Sequence, residues 1–104
     1  MEKIIEQGIL YDFYGELLTP HQREIYEDAV YNDMSLTELS VNYGISRQGV
    51  HDLIKRCDKI LIGYEEKLHL IEKFDKIKAK ITQINETTDL DKIKGLTLEI
   101  MEEL

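Results

Sequence analysis

The chain carries one proline and one cysteine in 104 residues, and it has no apolar run near the ~20 residues of a membrane span. A single cysteine, Cys57, excludes an internal disulfide and fits a reducing cytosol, where it is expected to act as a small buried hydrophobe. The acidic N-terminus lacks the basic start of a signal peptide, so cytoplasmic residence without membrane insertion is expected. Metal ligands are also missing, because His21, His51 and His69 lie far apart and have no ligand-like spacing to Cys57. No Ser–His–acid set, glycine-rich phosphate loop or paired catalytic carboxylate stands out. Neither a cofactor nor enzymatic activity is therefore expected. Basic charge is scarce too, with 13 Lys and Arg against 21 Asp and Glu, a formal net charge of −8. That balance opposes non-specific nucleic-acid binding, since phosphate contacts supply most of its affinity.

What remains is helical. Apolar residues recur at three and four, and β-branched alternation is scarce. Ile5, Ile9, Phe13 and Leu17 form one stripe, which predicts a helix over about 2–17. Tyr11, Phe13 and Tyr14 on it read as core and rim aromatics. Thr19, Pro20 and Gln22 announce the next helix with a cap, a proline at its first position and a capping box. Gln22, Ile25, Tyr26, Ala29 and Val30 are expected to face inward there. Asn32, Asp33 and Met34 end that helix, and Ser35 with Glu38 opens another.

The segment Leu36 to Leu53 then fills the slots of a helix-turn-helix. Counted from Leu36, Leu39 is fourth, Ser40 fifth, Gly44 ninth, Ile45 tenth, Val50 fifteenth and Leu53 eighteenth. Gly44 supplies the positive φ of the turn, and Ser40 the small side chain where the helices touch. Leu39, Ile45, Val50 and Leu53 wedge the angle, and Ser46 caps the second helix. Gly49 is costly inside a helix, and tight packing on the preceding helix is the preferred explanation.

On the second motif helix Arg47 and Gln48 are placed to reach base edges, arginine to guanine and glutamine to adenine. Lys55, Arg56 and Lys59 would neutralise phosphates, and Thr37 and Ser46 would contact backbone oxygens near helix N-termini. His51 and Asp52 complete the outward face, with Asp52 either pairing with Arg56 or accepting from a cytosine amino group. Residues 1–18 carry −3, 19–60 carry −2 and 61–104 carry −3, so this basic cluster is local on an acidic chain.

After Leu53 the pattern continues, or kinks near Gly63. Leu68, Ile71, Phe74, Ile77, Ile81 and Ile84 make a long stripe, and Thr88 with Asp91 is the expected cap of a last helix carrying Leu90, Ile93, Leu96, Ile100 and Leu104. The expected organisation is a helix-turn-helix domain over 1–63 and a helical hairpin or arm over 64–104. This arm has too few partners of its own, which points to folding back or to a homodimer.

The segments LLTPHQREIY and DMSLTELSVNYGISRQGVHDLIKRCDKIL resemble region 4 of bacterial sigma factors, a four-helix DNA-reading module. With DFYGELLT (Asp12 to Thr19), SLTEL (Ser35 to Leu39), SRQGVHDLIKR (Ser46 to Arg56) and YEEKL (Tyr64 to Leu68), the chain is similar to the YlxM family of small helix-turn-helix proteins. The resemblance implies an all-α, sigma-region-4-like bundle with a C-terminal arm. It also implies a gene placed beside those of the signal recognition particle, and a regulatory role in that targeting pathway. Ser46, Arg47, Gln48, Asp52, Lys55 and Arg56 carry over as the recognition surface. Gly49 and His51 depart from the family pattern. DNA or the particle's RNA is the implied partner, and an adaptor docking on the targeting GTPase is the alternative.

Overall fold

The computed structural model describes residues 2–104. Among the described residues there are six α-helices, one 3₁₀ turn and no strand. In order they are α1 (Lys3–Tyr14), the 3₁₀ turn Gly15–Leu17, α2 (Pro20–Val30), α3 (Leu36–Tyr43), α4 (Arg47–Leu68), α5 (Leu70–Glu86) and α6 (Leu90–Glu103). The class is all-α, and the helix starts follow the local chemistry. The Thr19 hydroxyl accepts from the Gln22 backbone N–H while the Gln22 side chain accepts from the Thr19 N–H. Ser35 and Glu38 repeat that exchange at α3. At α6 the cap lies one residue beyond the expected Thr88: the Asp89 carboxylate accepts from the N–H groups of Asp91 and Lys92.

One expectation about register changes. The N-terminal stripe Ile5, Ile9, Phe13 and Leu17 is not the buried one, since Ile5 and Leu17 are half in water. Leu10, Tyr14 and Leu18 are buried instead, a rotation that sends the Tyr14 ring inward. At Gly63, of the two alternatives, the helix continues: α4 runs on unbroken to Leu68. The helix ends only at His69, whose φ of 55° lies in the left-handed region. Contacts group the residues up to Leu68 in one unit and His69–Leu104 in another, whereas the sequence placed the division after Gly63.

In the first unit α4 packs against α1, α2 and α3. Ile25, Leu39 and Val50 form the buried centre, with Ala29, Met34, Leu36, Tyr43, Ile45, Leu53 and Ile54 around them. Tyr26, Cys57 and Leu61 are buried as well. The tyrosines do more than fill space. Tyr11 donates to Glu27, Tyr14 to Glu65, Tyr26 to Asp58, Tyr31 to Asp12 and Tyr43 to Asp28. These bonds tie α1 to α2, α1 to α4, α2 to α4 and α2 to α3, with the Tyr14 and Tyr26 rings buried in the apolar layer and Tyr31 half exposed.

The turn between α3 and α4 is held by Gly44, whose φ of 66° needs a residue without a Cβ penalty. A methyl group at Gly44 would meet no atom within 4 Å, so only the backbone resists it. Gly44→Ala is therefore expected to cost about 1 kcal/mol of stability in a thermal or urea melt, with Gly44→Asn costing less. In the second unit α5 and α6 pack as a hairpin, with Leu96 buried and Ile77, Ile84, Ile93 and Ile100 half-buried.

Candidate nucleic-acid interface

The outward face of α4 is built by the turn before it. The Ser40 hydroxyl donates to the Ile45 carbonyl, closing the turn from within. Ser46 caps α4, its hydroxyl accepting from the Gly49 N–H at 3.0 Å. Gly49 is explained here: a Cβ would stand 2.7 Å from Cγ2 of Ile45 and 3.1 Å from the Ser46 hydroxyl. The close neighbour is thus the turn itself, not the preceding helix. Leu39 and Val50 are fully buried below, with Ile45 and Leu53 half-buried, which fixes the rotation of α4.

That rotation leaves Arg47, Gln48, Asp52, Lys55, Arg56 and Lys59 exposed and His51 half-buried. At 100° per residue, Arg47, His51, Lys55, Gln48, Lys59 and Asp52 follow one another around a single arc, with Arg56 on its flank. Leu36, Arg47, Gln48 and His51 line one shallow depression at its N-terminal end. Among the described residues, none of Arg47, Lys55, Arg56 and Lys59 enters an ion pair.

Asp52 pairs differently from one sequence expectation. Its carboxylate accepts from Nε2 of Gln48 at 2.9 Å and lies 3.5 Å from Nδ1 of His51, so its partners are these rather than Arg56. The bond from Gln48, then that from His51, holds the Asp52 carboxyl below its ordinary range. Two other expected contacts are relocated. Thr37 lines a separate groove with Met34, Glu38, Val41 and Asn42. The Ser46 oxygen accepts from its cap partner Gly49, which leaves its proton free to donate outward.

Sequence reasoning missed how α4 sorts its charges. Asp58 is turned away from the arc and accepts from both Tyr26 and Gln7, and Glu65 accepts from Tyr14. The signal was present as tyrosines and acids spaced along facing helices, but it has no short-range motif. Burial, more than the neighbouring Asp58 charge, pushes the Cys57 thiol up to about 11, so it stays protonated at neutral pH. Among the described residues no group of three or more His, Cys, Asp or Glu is gathered as for a metal ion. No helix of the described residues is long and apolar enough to cross a membrane.

Residues 1–100 match the profile of the family described as "Putative helix-turn-helix protein, YlxM / p13 like". The chain belongs to this family. Among its curated relatives, the UPF0122 protein of Caldanaerobacter subterraneus subsp. tengcongensis is 53% identical over 78 residues, covering 75% of this chain and 67% of the relative. The UPF0122 protein of Clostridium novyi is 45% identical, covering 88% of this chain and 80% of the relative. That of Oceanobacillus iheyensis is 41% identical over 103 residues, covering 92% of this chain and 98% of the relative. Family membership agrees with the observed helix-turn-helix and makes DNA binding plausible.

Proposed function

We propose that this protein is a non-enzymatic regulator that binds duplex DNA through the exposed arc of α4. The observation that carries the reading is the sorting of charge on that helix. Between Arg47 and Lys59 the bases face water without ion pairs, while Asp58 is spent on Tyr26 and Gln7. Only Asp52 opposes the bases on the arc. A helix of this kind fits a B-form major groove, with Arg47 and Gln48 at its N-terminal end on base edges and Lys55, Arg56 and Lys59 on phosphates. Particle RNA would have to be met through loops or phosphates, because an A-form major groove excludes a helix.

Participation in the signal recognition particle pathway is part of the proposal and rests on the family resemblance. A second reading, an adaptor docking on the targeting GTPase, is favoured by the net charge of −8, which would complement a basic RNA-binding partner.

The test is a mobility shift across salt concentrations. Arg47→Ala with Lys55→Ala is expected to weaken binding about tenfold to a hundredfold and to reduce the steepness of the salt dependence by about two contacts. Absence of any salt-sensitive shift with DNA or particle RNA, together with nuclease-resistant co-purification of the GTPase, would replace this reading with the adaptor.

A further inference from the structure

We propose that Asp52 is a positioning residue of the α4 arc, setting Gln48 to read adenine and to reject guanine. The inference rests on the duplex-DNA reading above and adds to it the base that one position selects.

An acid on this arc is out of place on charge alone, because phosphates repel a carboxylate. Cationic side chains stand within reach of it. Lys55 lies three residues on and Arg56 four, both spacings that bring side chains together on a helix. Among the described residues neither forms an ion pair with it. Asp52 instead accepts from Nε2 of Gln48 at 2.9 Å, four residues back. Nδ1 of His51 lies 3.5 Å from the same oxygen, Oδ1. The bond from Gln48, then that from His51, keeps the Asp52 carboxyl below its ordinary range, so it is ionised at neutral pH.

This chemistry fixes the amide. An ionised carboxylate only accepts, so the nitrogen of Gln48, and not its oxygen, must face Asp52. A free glutamine amide carries two N–H donors and one carbonyl, and can turn to suit several base edges. With one N–H spent on Asp52, one donor and one acceptor remain. The major-groove edge of adenine requires that pair, its N7 accepting and its N6–H donating. Guanine shows two acceptors there, N7 and O6, and needs two donors. Gln48 held in this way has one donor left, and its carbonyl would meet O6 as acceptor against acceptor. Thymine and cytosine each present a single polar group and leave half of the amide unused.

Placement agrees with this role. Gln48 is the second residue of α4, at the end that enters the groove in a recognition helix. A side chain already ordered in the free protein also loses less freedom on binding.

The test takes the full chain and a pool of duplex DNA with a randomised centre, which is bound, recovered and sequenced. The natural chain is expected to enrich adenine over guanine by about tenfold or more at one position. Gln48→Ala and Asp52→Ala should each bring that ratio close to one. Asp52→Asn keeps an acceptor oxygen for Gln48 without the charge, and should restore most of the preference. Affinity for the unselected pool should rise about twofold to fivefold in both Asp52 variants, since one repelling charge is gone. A residue that only supported the helix would weaken all sequences together. Three results would overturn the proposal and leave the duplex-DNA reading in place: an adenine preference that survives Asp52→Ala, a loss that Asp52→Asn shares, or a base other than adenine enriched at the position that Gln48→Ala alters. Recovery of no duplex at all would overturn both.

Discussion

Asp58→Ala is expected to lower the unfolding free energy of the first unit by about 2–3 kcal/mol, as much as many core truncations. The cause is what it strands. Tyr26 is fully buried, and its hydroxyl donates to Asp58, which also accepts from Gln7. Without the carboxylate, the buried Tyr26 O–H loses the acceptor it donates to. Tyr26→Phe removes the donor as well as the bond and should cost only about 1 kcal/mol. The double variant should therefore cost less than the sum of the single ones, the sign that one interaction links the pair. Urea unfolding followed by tyrosine fluorescence measures this, because all 6 tyrosines lie before Leu68 and report the first unit alone. Equal losses for the two single variants with strict additivity would refute the account.

The second large effect is alkaline unfolding. Burial, then the bond to Asp58, raises the pKa of Tyr26 far above its ordinary 10, and burial with Asp12 does the same for Tyr31. Tyr11 is raised by burial and by Glu27, and Tyr43 is pushed up to about 12, first by its bond to Asp28. A tyrosine raised in the folded state keeps its proton where the unfolded chain loses it. Its contribution is complete below pH 10 and is lost as the pH climbs toward the folded value. For the fully buried Tyr26 the loss is up to about 1.4 kcal/mol per pH unit. The first unit is expected to unfold between pH 10 and 12, with tyrosinate absorbance and helix circular dichroism changing together. At the acid end the Asp28 carboxyl is held below 3.8 by Tyr43 and then Asn32, so its contribution is present above that value and fades as the pH falls through the folded one. Ionisation of Tyr26 near pH 10 with the helices intact would contradict the scheme.

The parts of the fold legible in the sequence are those set by near neighbours. Thr19 with Gln22, Ser35 with Glu38, Ser46 with Gly49 and Gly44 in its turn each act within a few residues. The helix-turn-helix wedge was legible for the same reason. The N-terminal register was not, because aliphatic periodicity gives Tyr14 no weight, although tyrosine can bury its ring while its hydroxyl finds Glu65. Gly63 was an ambiguous stop: its helical position has open space around it, and the left-handed His69 ends the helix instead. Of the candidate interface, the exposed bases were readable from α4 alone. The inward turn of Asp58 was not, since its partners Gln7 and Tyr26 lie 51 and 32 residues away in sequence.

The sorting of acids and bases on α4 also bears on how such proteins are handled at the bench. Titration curves and isoelectric focusing register the sum of all charges, and with a pI near 4.8 this chain will be retained on an anion exchanger. An immobilised polyanion such as heparin samples only the patch it touches, so on the proposed reading the same preparation is expected to be held by resins of opposite sign.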